Sequence, residues 1–309
     1  MNVGVLGAGG FVGTAVKRAL QQAGTSVTSI AAPRISRPRG TVPERGEGMS
    51  STVDAIAALE ESLRGCAAVV NCAGIAMPGA GASLALYGAN ALLPIVVREA
   101  CSRAGVSRFI HVSSAAVQGD RDILDETEDV TPMTPYARSK AAGERLLLRG
   151  NREGVTIFRP TSVHGSARIV TARLARLARS PLSSVAGSGE WASPQVLVQN
   201  VGSAVAYLAV CSSAPPAIVL QPSEGQTAKS VLCVLGLGRE PHHLPEHLAY
   251  AVLAAAALAT FNPQLSAARR RLHMLWFGQQ QTVGWLSSQG FAPPAGADAW
   301  SRLASDLTP

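Results

Sequence analysis

Lysine is the scarcest charged side chain here, three against twenty-four arginines in 309 residues. In so arginine-rich a chain, each lysine marks a place where a compact ammonium serves and a planar guanidinium does not. Aromatic residues make up 5% of the sequence, too few for the stacking platforms of a nucleic-acid binder. The net charge of +7 therefore points to an anionic small-molecule substrate or cofactor, with no nucleic-acid partner. Five cysteines, Cys66, Cys72, Cys101, Cys211 and Cys233, form an odd set without CxxC spacing. That excludes a disulfide scaffold and a zinc ribbon, and a reduced cytoplasmic setting is expected. No metal site is expected either: in His242-His243-Leu244-Pro245-Glu246-His247, Pro245 interrupts any single helical face. The apolar run Leu248 to Leu258 falls short of the ~20 residues that cross a bilayer, so no membrane span is expected. The basic run that follows, Arg269-Arg270-Arg271, reads as a solvated helix face. No leader is expected, because residues 2 to 6 already read as a first strand.

What the chain does have is 47% hydrophobic residues, enough to bury a sizeable core in one large or two intimately joined domains. Strand-like runs at 2–6, 26–31, 67–71, 107–112 and 154–158 alternate with helical patterns at 52–64, 83–104 and 134–149. The expected fold class is α/β, a doubly wound parallel sheet covered on both faces. Pro94 should kink or break the long helical pattern, and the stretch from Pro38 to Thr52 reads as loop. Residues 1–160, with 196–212 returning to the sheet, are expected to form the dinucleotide-binding domain. Residues 161–195 and 213–309 are assigned to a smaller substrate lobe.

Directly after the first strand comes Gly7-Ala8-Gly9-Gly10-Phe11-Val12-Gly13, a GxxGxxG turn that opens a helix. Glycines at these places permit a tight turn and let a pyrophosphate approach the backbone at a helix amino terminus. Further on, Tyr136 and Lys140 stand four apart, on one face of a predicted helix. A free phenol titrates near ~10, so acid/base work around neutrality needs a shift of about three pH units. A cation at ~4 Å in a partly desolvated pocket supplies about that much.

Taken in order, Gly7/Gly10/Gly13, Asn71-Cys72-Ala73-Gly74, Val112-Ser113-Ser114, Tyr136 to Lys140 and Arg159-Pro160-Thr161-Ser162-Val163-His164-Gly165 resemble the extended short-chain dehydrogenases/reductases, the NAD-dependent epimerase/dehydratase family. Gly187-Ser188-Gly189-Glu190 and Val198-Gln199-Asn200-Val201 continue the likeness. The resemblance implies that Ser114 hydrogen-bonds the reacting oxygen and Tyr136 exchanges its proton. Lys140 would hold the nicotinamide ribose and depress the tyrosine pKa, and Asn90 matches the family's active-site helix asparagine. It further implies a cofactor site at Gly7, Gly10, Phe11, Val12, Gly13, Arg34, Cys72, Ala73, Gly74, Pro160 and Val163, and a homodimer. Relatives of this kind often hold a nucleotide diphosphate through an asparagine after the Arg-Pro motif and an arginine further on. Here those positions carry Ser162 and Ser193. Arg168, Arg173, Arg176 and Arg179 are alternative contacts for the diphosphate, with a solvated helix face an equal reading of them, and His164 is read equally as a substrate contact or a structural residue.

The end of the second strand carries Ala31-Ala32-Pro33-Arg34 where an acid commonly receives the ribose hydroxyls of NAD. Arg34, Arg37 and Arg39 suit a 2′-phosphate, so NADP(H) is expected to be favoured, with NAD(H) possible. That leads to a reductase of a ketone, a nucleotide-diphosphate keto-sugar first. The alternatives are an NAD-retaining sugar-nucleotide 4-epimerase, a reductase of a flavonoid- or steroid-like ketone, and a non-catalytic dinucleotide-binding regulator.

Overall fold

The computed structural model describes residues 1–35, 47–76, 82–258 and 263–308. The chain runs β1 (Asn2–Leu6), α1 (Phe11–Gln22), β2 (Ser26–Ile30), α2 (Glu47–Leu63), β3 (Ala68–Asn71), α3 (Leu84–Tyr87), α4 (Leu93–Arg103), β4 (Arg108–Val112), β5 (Ile123–Leu124) and α5 (Pro135–Arg149). It continues through β6 (Val155–Arg159), β7 (Ser162–His164), α6 (Ile169–Ala178), β8 (Ser184–Ala186), β9 (Gln195–Leu197), α7 (Val198–Val210), β10 (Ile218–Leu220) and α8 (Ala228–Leu235). Last come β11 (His242–Leu244), α9 (Glu246–Leu258), α10 (Pro263–Phe277), β12 (Gln280–Gln281), α11 (Trp285–Ser288) and α12 (Ala297–Asp306).

Two compact units emerge. The first comprises residues 1–119, 126–160 and 201–221; the second comprises 120–125, 161–200 and 222–309. The first unit is built on a six-stranded sheet in the order β10-β6-β4-β3-β1-β2 with every pair parallel. Apart from edge strand β2, its strands are rich in β-branched residues and almost wholly buried: Val3, Val5, Val69, Val70 and Ile110 expose nothing. That is the composition of a sheet sandwiched between helix layers. The sequence leaves β1 for β2 on one side and returns to β3 on the other, so the strand order reverses between β1 and β3. A ligand crevice in such sheets lies outside the carboxyl ends of the strands at this switch point. Leu6 pairs with Asn71 there, and the Cys72 amide donates to the Leu6 carbonyl at 3.0 Å.

Three details depart from the sequence reading. Residues 38–46 lie outside the described residues, while 47–52, expected as loop, open helix α2. Residues 213–221, expected in the substrate lobe, group with the sheet unit because β10 pairs with β6, while 198–210 form helix α7. Pro94 does not break its helix. The turn before it, Gly88–Leu92, widens to a π-helical turn between α3 and α4. Proline has no N–H to offer the Asn90 carbonyl four residues back, and a widened turn absorbs that missing bond. The segment Leu84–Arg103 is by length and composition apolar enough to cross a bilayer, yet Leu86, Leu93, Val96 and Val97 are buried in the first unit's core.

The second unit has parallel two-stranded pairs β7 with β9, β8 with β11 and β5 with β12, packed among its helices. Its apolar clusters centre on Val185 and Leu232, on Leu253 and Trp276, and on Trp300.

Candidate active site

The glycine turn has the tight backbone geometry that its spacing predicts. Gly7 has φ +73°, a conformation that side chains resist, and a Cβ there would lie 2.8 Å from the Ala73 nitrogen. A Cβ on Gly13 would sit inside the contact shell of the Gly7 carbonyl oxygen, so strand and helix approach as closely as backbone allows. Gly9 faces open space. Gly10 is the N-cap of α1, and no side chain caps that helix, whose amino terminus is the kind of place that suits an anion. These features fit the pyrophosphate of a dinucleotide. Phe11 and Val12, half-buried, begin the helix.

Across β1, the Asn71 side chain shapes the opposing turn. Its Oδ1 accepts from the Ala73 amide at 3.0 Å and its Nδ2 faces His111 Nδ1 at 3.2 Å. Because Oδ1 is committed to Ala73, His111 Nδ1 is the acceptor and its proton resides on Nε2. Burial holds the His111 pKa well below the ordinary imidazole range, with the nearby Lys140 charge acting in the same direction. Cys72 follows; burial pushes its thiol up to about 12, partly opposed by Lys140, so it is a neutral thiol.

Tyr136 and Lys140 lie on α5, whose N-cap Thr134 accepts from the Ala137 amide at 3.1 Å, with Pro135 at the start of the helix. Tyr136 is half-buried. Lys140 is 5% exposed and its Nζ donates to the Val112 carbonyl at 2.9 Å. Asn90, fully buried in the π-helical turn, accepts from the Ile75 amide at 2.9 Å and donates to the Ile75 carbonyl and Ser139 Oγ, both at 3.0 Å. Ser139 in turn donates to the Tyr136 carbonyl at 2.7 Å. A Cβ on Gly74 would fall 2.7 Å from Asn90 Oδ1 and 3.2 Å from Lys140 Nζ, so Gly74, Asn90 and Lys140 converge on one point. Gly143 lets α5 come close, since a Cβ there would overlap the Asn90 carbonyl. Ser114 Oγ accepts from the Ala116 amide at 3.2 Å. It is thus a cap, and accepting that bond leaves its own O–H to donate elsewhere. The Ala115 amide donates to the Pro160 carbonyl at 2.9 Å, joining this turn to the end of β6.

Burial pushes the Lys140 pKa from 10.5 down to about 8, against the opposing influence of Glu144 and Cys72. Between those two values the unfolded chain holds a proton that the folded chain has released. Stability therefore rises with pH across this window. Denaturant midpoints measured on either side of the window should show this gain in the wild type and lose it in Lys140→Met.

The remaining expected contacts lie in the second unit. Val163 is buried in β7 against β9. Ser162 Oγ meets His164 Nε2 at 3.3 Å, and the same nitrogen meets Gln195 Oε1 at 2.5 Å. His164 Nδ1 faces Thr171 Oγ1 at 3.2 Å, and Gln195 Nε2 donates to Ser193 Oγ at 3.1 Å. Ser162 and Ser193 are therefore ends of one internal network. Burial lowers the His164 pKa to about 4, only partly offset by Gln195, so its ring is neutral at ordinary pH. Arg173 and Arg176 are exposed on α6. Arg179 instead donates to the carbonyls of Leu235, Ala304 and Leu307 and ties helices together. Sequence reasoning missed Glu144 and Gln195, and it placed Asn71 and Arg159 within their motifs without giving them a role. Of the two missed, only Glu144, one turn beyond Lys140, carried a spacing signal.

The profile of the NAD dependent epimerase/dehydratase family matches residues 3–209. The chain belongs to that family, the extended short-chain dehydrogenases/reductases. Its fold is similar to that of UDP-glucuronic acid 4-epimerase from Bacillus cereus, with TM-score 0.67 and 17% identity over 99% of this chain and 96% of that one. UDP-glucose 4-epimerase from Thermus thermophilus gives TM-score 0.63 and 21% identity over 99% of both chains. Among curated relatives, a Stigmatella aurantiaca ketoreductase of a farnesylated 3-oxo-dihydroquinoline-1-oxide is 30% identical over 175 residues, 54% of this chain and 51% of the relative. A dTDP-glucose 4,6-dehydratase of Streptomyces niveus is 36% identical over 90 residues, 28% of this chain and 27% of the relative. The chain thus matches between about a quarter and a half of the length of these curated relatives.

The comparisons correct the expected cofactor preference. Both epimerase structures are complexes with NAD, as are most of the similar solved structures, so the preference for NADP(H) read from Arg34 does not stand. Physically, Arg34 is exposed four residues beyond β2, and an exposed arginine in an arginine-rich chain does not imply a phosphate partner. Arg37 and Arg39 lie outside the described residues.

Proposed function

We propose that this chain is an NAD-retaining epimerase of a nucleotide-diphosphate sugar, inverting a hydroxyl-bearing carbon by oxidation and re-reduction. The observation that carries the reading is the buried Lys140 ammonium one helical turn after Tyr136, beside Asn90 and Gly74, in the same unit as the glycine turn. NAD, when bound by the glycine turn, Cys72 to Gly74 and Lys140, supplies a reversible hydride acceptor for the reacting carbon. Tyr136 as phenolate takes the hydroxyl proton while the C–O bond becomes a carbonyl. As phenol it gives the proton back when the carbon is re-reduced on its other face. The Ser114 hydroxyl donates to the same oxygen in both directions. Lys140 favours the phenolate through its charge.

The NAD held in the similar epimerase structures supports a reaction with no net redox change. The test is incubation with UDP-glucose and with UDP-glucuronic acid deuterated at C4, with no added nucleotide. The expected result is the C4 epimer with its deuterium retained.

One observation favours a second reading. Ser162 and Ser193 turn into the His164–Gln195 network, whose own side chains are neutral, with the Arg168 cation the one charge among the described residues acting on His164. A non-sugar ketone reductase fits that, as does the likeness to the S. aurantiaca ketoreductase. Inert sugar nucleotides together with reduction of simple cyclic ketones by added reduced nicotinamide would favour it.

A further inference from the structure

Glu144 and Arg159 are the two charged side chains buried most completely in the sheet unit, 1% and 0% exposed. Glu144 lies on α5 one turn beyond Lys140, and Arg159 ends β6. Arg159 grips both carboxylate oxygens, Nη2 to Oε2 at 2.7 Å and Nε to Oε1 at 3.3 Å, and its Nη1 donates to the Thr127 carbonyl at 2.7 Å. Ser113 Oγ donates to Glu144 Oε1 at 2.5 Å. One carboxylate thus joins three elements at the points where each delivers a residue of the candidate site: β4 leads into Ser114, β6 into Pro160, and α5 carries Tyr136 and Lys140.

We propose that Glu144 is the positioning residue for Lys140: its carboxylate clamps α5 to the strand ends bearing Ser113 and Arg159 and supplies the counter-charge for the buried ammonium. A fold needs no charge at this depth, because an apolar pair of similar volume serves packing at least as well. A counter-charge is needed, though, where a second cation is buried alongside. The titratable and charged groups acting on Lys140 are Glu144 from α5, Cys72 from the end of β3, and His111 from β4, with Tyr136 one turn earlier on α5 and Arg159 reached through Glu144. Cys72 and His111 are both neutral at ordinary pH, which leaves Glu144 as the formal negative charge in this set. Its presence opposes the loss of the Lys140 proton that burial promotes.

The scarcity of lysine makes the test direct. With Lys17, Lys140 and Lys229 as the only lysines, protein labelled with ¹³Cε-lysine shows three side-chain resonances. Lys140→Met assigns the buried one. Its midpoint in Glu144→Gln is expected to fall by at least about one pH unit, a tenfold change in the proton affinity, with Lys17 and Lys229 unmoved. An unchanged Lys140 midpoint in folded Glu144→Gln overturns the proposal. Should that variant not fold, Glu144→Asp draws the carboxylate back by one methylene and leaves the Arg159 cation in place; the midpoint must still fall, by a smaller amount, and an unchanged value there overturns the proposal equally. The inference rests on Lys140 serving Tyr136, but the titration needs no turnover. Failure of the enzymatic reading would appear in Tyr136 variants and leave the Lys140 shift intact.

Discussion

Tyr136→Phe is expected to lower turnover by about 10²–10⁴-fold while leaving the bound dinucleotide in place. The substitution removes one oxygen from a ring that starts helix α5, and the backbone of that helix is held by other groups. Thr134 caps it, Ser139 bonds the Tyr136 carbonyl, and Lys140 is anchored on the Val112 carbonyl. The glycine turn is on another element altogether. The loss should therefore appear in kcat, with no change in dinucleotide content of the purified protein. Turnover within a factor of two of the wild type would remove Tyr136 from the chemistry, and simultaneous loss of dinucleotide would recast it as a binding residue.

Gly13→Ala is expected to cut dinucleotide content at least about tenfold, equivalent to ~1.4 kcal/mol or more of lost affinity. The added methyl group would collide with the Gly7 carbonyl oxygen, and its other near neighbours are also backbone, the Gly7 carbonyl carbon and Ala8 Cα. No flexible side chain can swing aside, so the turn itself must open, moving the first amides of α1 away from the anion they would hold. The comparison variant is Gly9→Ala, where a Cβ meets nothing within 4 Å. It tests the space reserved for the ligand rather than the packing of strand against helix: protein fold and melting behaviour should survive Gly9→Ala and suffer in Gly13→Ala. Equal dinucleotide content in Gly13→Ala and wild type would contradict the cradle.

The elements legible in the sequence were those whose residues carry a period or an obligatory conformation. The five expected strands of the sheet fall within one or two residues of β1, β2, β3, β4 and β6, since buried β-branched runs have few other uses. The glycine turn was readable because it needs glycine for steric reasons, and Tyr136 with Lys140 because a helix puts them on one face. Other features depend on partners distant in sequence. Nothing local says that Pro94 would be absorbed by a π-helical turn, or that Glu144 would find Arg159 in the interior rather than solvent. His164 was open to a substrate contact or a structural role, and its bonds to Thr171 and to Gln195, the latter distant in sequence, give it the structural one. The cofactor preference failed for a related reason: a missing acid and a nearby arginine are local facts, and recognition of a 2′-phosphate depends on where that arginine points.

The most direct test of the account is the dinucleotide released when the purified protein is denatured, quantified against chain concentration. A retained redox partner predicts about one NAD per chain, recovered without any nucleotide added during purification. An empty protein that turns over only when reduced nicotinamide is supplied would contradict the account.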